Sequence, residues 1–241
     1  MTVAAPADRR PGVAAFGAVY RLVLRHQVSV ARLVLLAAMG ALAIVVAAVL
    51  ASEAGDPVGD TTGFLNGFGM GLVVPVGSLM LASAALGDMV DDETLVYLWL
   101  RPASRWMLAG AAWAATLTLT LPLTVVPLTV AGLVGSDLDG GVTAGVALAT
   151  ALGVVAYTAL FTLMGLVFRR SLVWGLVYVL IWEFFLARGG TGAARLSVNS
   201  YPASVLAELS GVELRLAERG LAQGVVVPLA VAAVALALTT W

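Results

Sequence analysis

Apolar stretches long enough to cross a bilayer recur from one end of this chain to the other. Leu33 to Ser52 is twenty residues without a charge, about 30 Å as a helix, which matches a hydrocarbon core. Similar charge-free stretches cover 64–87, 106–135, 142–168 and 221–241, and a shorter one, interrupted by Glu183, covers 172–187. A removable leader has an apolar region of only about 7 to 15 residues, so the first stretch is a span. The pattern predicts an all-α integral membrane protein, a single transmembrane domain over 1–241 with six transmembrane helices. Charged residues make up 11% of the chain and mean hydropathy is +1.02, against about 25% charged in an ordinary soluble domain.

The segments between spans carry the remaining character. Residues 1–12 read as a disordered tail. Over 13–32, Phe16, Val19, Tyr20, Val23 and Leu24 recur at helical spacing while Arg21, Arg25 and Arg32 occupy another face, which predicts an amphipathic helix in the membrane interface with its arginines at lipid headgroups. Glu53, Asp56 and Asp60 form a short acidic loop, and Asp137 and Asp139 with Gly140 and Gly141 form a tight turn. The thirty residues of 106–135 exceed one bilayer crossing, so tilt, a break near Pro122 and Pro127, or a frayed end must absorb the excess. Over 201–221, apolar and charged residues alternate at helical spacing, predicting helices at the opposite interface.

Arginine distribution sets the orientation. Nine arginines precede or join spans on one side, at 9, 10, 21, 25, 32, 101, 105, 169 and 170, and four, at 188, 195, 215 and 219, lie on the other. The positive-inside rule puts both termini in the cytoplasm of a multi-pass protein of the cell membrane.

Several activities drop out. All thirteen basic residues are arginine and the net charge is -1, so no basic field attracts nucleic acid. Without lysine there is no P-loop, and the chain holds no cofactor of its own by that machinery. With no cysteine and His26 as the sole histidine, disulfides, thiolate catalysis and His-rich metal sites are excluded.

Three sets of residues carry candidate function. Gly63, Gly67 and Gly71 sit four apart in the second span and allow a neighbouring backbone to approach; the neighbour is another span of the chain, a second subunit or the transport path. Glu183 is the one acidic residue inside a span. An ionisable group in lipid needs a partner or a proton, so Glu183 either pairs with Arg188, Arg195 or nearby backbone, or serves a proton or substrate. Asp88, Asp91, Asp92 and Glu93 form an acidic cluster. Such clusters hold Mg2+ for diphosphates in membrane prenyltransferases, but that chemistry needs a second, facing aspartate motif, and no metal site is expected. Carboxylates favour a helix N-terminus, and the cluster continues through Thr94, Leu95, Leu98, Arg101, Pro102, Ser104 and Arg105 as a short helix parallel to the membrane, shaped to be gripped from the cytoplasm.

The run Asp92-Glu93-Thr94-Leu95-Val96-Tyr97-Leu98, then Arg101-Pro102-Ala103-Ser104-Arg105, resembles the segment before the third span in permease subunits of ABC-2 type ABC transporters. Tyr178-Val179-Leu180-Ile181-Trp182-Glu183, then Arg195-Leu196-Ser197-Val198 and Tyr201, is similar to a second pattern of that family. The chain departs from the family at Glu93, where Gly is usual, and at Ala109-Gly110-Ala111, where a Lys is frequent. The resemblance implies a transport subunit, not itself an enzyme, that pairs with a second permease chain and two ATPase subunits, which bind ATP and Mg2+. It also implies that 88–105 is a coupling helix seated on the ATPase. A proton-coupled secondary transporter using Glu183 is the alternative.

Overall fold

The structure is a computed structural model and describes residues 11–53, 55–87, 105–186, 196–214, 217 and 219–240. Among these it is all-helical. Five helices are long and apolar enough to cross a membrane, which makes this a multi-pass membrane protein: α2 (Val30–Glu53), α3 (Pro57–Ala85), α4 (Arg105–Gly135), α5 (Gly140–Val167) and α8, whose apolar span is Leu221–Thr239. Before them comes α1 (Pro11–Gln27). Between α5 and α8 lie α6, which runs as α-helix over Ser171–Val177 and as π-helix over Tyr178–Leu186, and α7 (Ser200–Ser210). The sixth expected span, 172–187, is thus a shorter apolar helix.

Local chemistry moves several boundaries. The first helix ends at Gln27, so Arg32 belongs to α2 and not to the amphipathic helix. The second span starts at Pro57, seven residues before the expected 64, because Asp56 caps it by accepting from the Gly59 N–H at 3.0 Å and Pro57 suits a first helical turn. Asp60 therefore lies within the helix, in its first turn, where a carboxylate favours the dipole. Likewise Asp139 caps α5 through the Val142 N–H at 2.8 Å. Gly140 and Gly141 are already helical, and the left-handed turn positions fall to Asp137 (φ 55°) and Leu138 (φ 67°).

α4 absorbs its length without a break: it is one helix through both Pro122 and Pro127. Its 31 residues span about 46 Å, and its Arg105 end supplies the surface on which α1 packs, with Gly110 against the Phe16 ring. Val23 and Gln27 of α1 are fully buried there, and Gln27 donates its amide to the Thr116 hydroxyl at 2.6 Å. Arg21 and Arg25 stay exposed on the other face.

Helix crossings are made by small residues. Gly40 faces Pro127, Gly77 faces Leu36 and Thr124, and Gly135 faces Thr61 and Ala47, so close that an added Cβ would overlap its neighbour in each case. On α2 the buried stripe Leu36, Gly40, Ala43 and Ala47 faces the bundle, while Val34, Leu35, Leu42, Val45 and Val49 are exposed. These exposed aliphatics are the lipid-facing side of a membrane helix.

Candidate functional site

The helices place charge at two opposite ends. Arg21, Arg25, Arg32, Arg105, Arg169 and Arg170 lie at one end of the described bundle; Glu53, Asp56, Asp60, Asp137, Asp139, Glu208 and Glu213 lie at the other. Contacts fix the acidic end: the Thr61 hydroxyl bonds the Gly135 carbonyl at 2.7 Å, and Gly141 abuts the Leu209 carbonyl. At the basic end Trp174 lies tilted against Phe168, both exposed beside the Arg169-Arg170 turn, as interface aromatics do.

The polar cluster lies between these ends. Glu183 is only 5% exposed. One carboxylate oxygen accepts from the Tyr178 hydroxyl at 2.8 Å and from the Val198 N–H at 2.9 Å; the other accepts from the Ser197 hydroxyl. Tyr157, fully buried on α5, lies beside the same carboxylate and the Asn199 backbone without a close hydrogen bond to either. Glu183 is thus tied to the backbone of the following segment, one of the expected partners, whereas Arg188 and Arg195 lie outside the described residues.

Two local features build this arrangement. The π-helix stacks residues five apart, which brings Tyr178 over Glu183 on their own helix. Rings then brace the tyrosines: Tyr157 stacks on Phe161 at 5.7 Å, and Phe161 meets Tyr178 edge-on at 6.2 Å.

The depth follows from α5. Tyr157 is ten residues from Val167 and seventeen from Gly140, about 15 Å and 26 Å along the helix, so the cluster sits well inside the span from either end. α7 starts at that depth and runs along the first half of α5 to the acidic end, with Pro202 beside Gly153, Leu206 beside Gly145 and Leu209 beside Gly141. It is therefore not an amphipathic helix resting on an interface: Pro202, Ala203, Ser204, Val205 and Leu206 are all buried. The expected helicity also stops at Ser210, and the described part of 211–220 is non-helical. From that stretch Arg219 reaches back, donating to the Ser200 hydroxyl at 2.9 Å and lying over the Tyr201 ring at 4.5 Å. Ser200 in turn donates to the Ser197 carbonyl at 2.9 Å, so a relay of two serines joins the carboxylate to a guanidinium.

The other candidates fare differently. At Gly63 and Gly67 an added Cβ would meet nothing within 4 Å. Their face is open, and no other described span of the chain packs there; the buried Gly71 completes the row. Of the coupling segment, Asp88, Asp91, Asp92, Glu93, Thr94, Leu95, Leu98, Arg101, Pro102 and Ser104 lie outside the described residues, and Arg105 opens α4 with its side chain exposed. Sequence reasoning missed the place of Tyr157 at the carboxylate. The usable signal was a buried-type hydroxyl on α5 facing a segment that carries an intramembrane acid.

No protein-family model, no characterised protein and no solved structure matches this chain.

Proposed function

We propose that the chain is the membrane-spanning permease subunit of an ATP-driven exporter of the ABC-2 type, working with a second permease chain and two separate ATPase subunits in the cell membrane. The observation that carries this reading is the convergence at Glu183. Tyr178 to Glu183 and Leu196 to Val198 are the two halves of the downstream pattern that resembles that family, and here they close on one another through the carboxylate. A resemblance whose separate pieces form one physical unit is stronger than either piece alone.

On this reading the basic end is cytoplasmic, α6 with α7 forms the sixth membrane element, and 88–105 is the helix seated on the ATPase. Energy comes from the partner, because the sequence has no P-loop of its own. Alternating access then moves two such bundles against each other. The three protein donors on Glu183 favour a structural role over direct proton coupling, and the open Gly63–Gly67 face is available to the second chain or to the transport path.

Two measurements test the reading. Single cysteines at Asp56 and Asp139, in a chain with no native cysteine, should react with an impermeant reagent only from outside the cell; reaction only from the cytoplasm overturns the orientation. The chain purified in mild detergent from its own membranes should carry an ATP-hydrolysing subunit in equal number. A wild-type chain that purifies alone and moves solute on a pH gradient without ATP replaces the exporter by a secondary transporter.

A further inference from the structure

α3 and α5 run side by side in the same direction: Leu65 and Val146 meet over Gly132, and Val74 packs against Gly153. The hydroxyls along this shared face differ from most others in the bundle, the Thr129 hydroxyl of α4 being a further buried one without a partner. Thr116, Thr120, Thr124, Thr158 and Thr162 are fully buried, and each donates to the carbonyl four residues back on its own helix. This is the usual way for a helical threonine to satisfy itself. Thr62 and Ser78 on α3 and Thr150 and Tyr157 on α5 are buried to the same degree, yet none has a hydrogen-bond partner among the described residues, and neither has the amide oxygen of Asn66.

These five groups are not scattered. Thr62 and Asn66 are one turn apart and flank Leu65, the contact nearest the acidic end. Thr150 and Tyr157 are two turns apart on one face of α5 and flank Gly153. Ser78 is one turn beyond Val74, level with Tyr157, which faces Glu183. The order from the acidic end inward is therefore Thr62, Asn66, Thr150, then Ser78 with Tyr157. In a hydrocarbon environment a hydroxyl that bonds neither its own helix nor a neighbour is expensive, and water satisfies such groups where several converge.

We propose that α3 and α5 enclose a file of water sites running from the acidic end to the Glu183 cluster. The file is the polar route through this side of the bundle, and water or a small hydrogen-bonding solute is what it takes. Nothing in this assignment depends on an ATPase partner, so it stands or falls separately from the exporter reading.

Heavy water is the probe. Introduce S78C, T150C, T124C and T162C one at a time into the naturally cysteine-free chain, reconstitute each in nanodiscs, and follow the single thiol's hydrogen-deuterium exchange by its infrared S–H band. Ser78 and Thr150 lie on the file, while Thr124 and Thr162 are equally buried but bonded to their own helices. The thiols of S78C and T150C should exchange at least tenfold faster than those of T124C and T162C. If all four exchange at one rate, the file does not exist; if only S78C or only T150C is fast, there is an isolated water and the continuous route is overturned. Size-exclusion profile and helical circular dichroism establish folding, and T62C replaces S78C should that variant fail to fold.

Discussion

Two short helices were expected to lie on membrane interfaces, and the bundle treats them in opposite ways. α1 keeps one face free: Arg21 and Arg25 are exposed, and attachment to α4 rests on Val23, Gln27 and a hydrogen bond from Tyr20 to Thr118 at 3.0 Å. α7 has its first half enclosed by α5 and α8, and a buried carboxylate holds the segment that leads into it. Both sequences show apolar residues at helical spacing. The difference teaches that such spacing fixes a buried face but not the medium that covers it; the deciding signal is the company of small residues. Gly141, Gly145, Gly153 and Gly224 give α7 a bed without side chains, whereas α1 packs on the alanines and threonines of α4.

The largest expected effect comes from breaking the α7 side. Glu183→Ala strips the acceptor from Tyr178, Ser197 and Val198 together, and buried donors left unmade cost about 1 to 3 kcal/mol each. A loss of about 4 kcal/mol is expected, measured as urea or thermal unfolding in detergent, with Glu183→Gln retaining at least half of that stability because an amide oxygen still accepts. A fully stable Glu183→Ala protein would mean that α7 is held by apolar packing alone.

Next comes the bed itself. At Gly224 an added Cβ would lie 2.6 Å from Val205 and 2.9 Å from the Tyr201 carbonyl. Because the second is backbone and cannot swing away, Gly224→Ala should destabilise by about 2 kcal/mol, in the range of overpacking. Gly63→Ala and Gly67→Ala meet open space and should leave the single chain unchanged or more stable by up to about 1 kcal/mol, the usual helix gain over glycine. Should those two variants instead dissociate a dimer on size exclusion, the open face belongs to the second chain.

α1 should respond more weakly and only locally. Gln27→Ala removes the 2.6 Å bond to Thr116 and should cost about 1 to 2 kcal/mol, seen as faster amide exchange over 11–27 with the rest of the bundle unaltered. The smallest effect belongs to Arg21→Gln with Arg25→Gln, below about 0.5 kcal/mol in neutral detergent, because both side chains are exposed and surface charges contribute little.

Much of the fold was readable because hydrophobic length is a strong constraint. The first span, expected over 33–52, forms as Val30–Glu53, and the fourth, expected over 142–168, forms as Gly140–Val167. Boundaries slipped where a capping aspartate outranks hydropathy, as at Asp56, since a charged residue in a first turn looks like loop to a composition count. The regular spacing of Gly63, Gly67 and Gly71 drew attention, yet the crossings use Gly40, Gly77 and Gly135, which share no motif. A glycine matters through the residue opposite, and one helix's spacing does not contain that residue. The Tyr178–Glu183 pair was hidden for a related reason: a 3.6-residue period puts positions five apart on different faces, and only the π-helix aligns them.

The permease reading depends most on force passing through 88–105 from an ATPase, and Leu95 and Leu98 are the apolar residues expected to anchor that contact, with Asp91, Asp92 and Arg101 at its rim. The decisive measurement is therefore ATP hydrolysis and assembly of the complex purified with wild-type chain and with Leu95→Asp, side by side. Wild type should bring down active ATPase, and Leu95→Asp should lose the ATPase or lose the dependence of hydrolysis on the permease, with the chain itself still folded. A Leu95→Asp chain that assembles and couples as wild type does would contradict the coupling assignment and the exporter reading built on it.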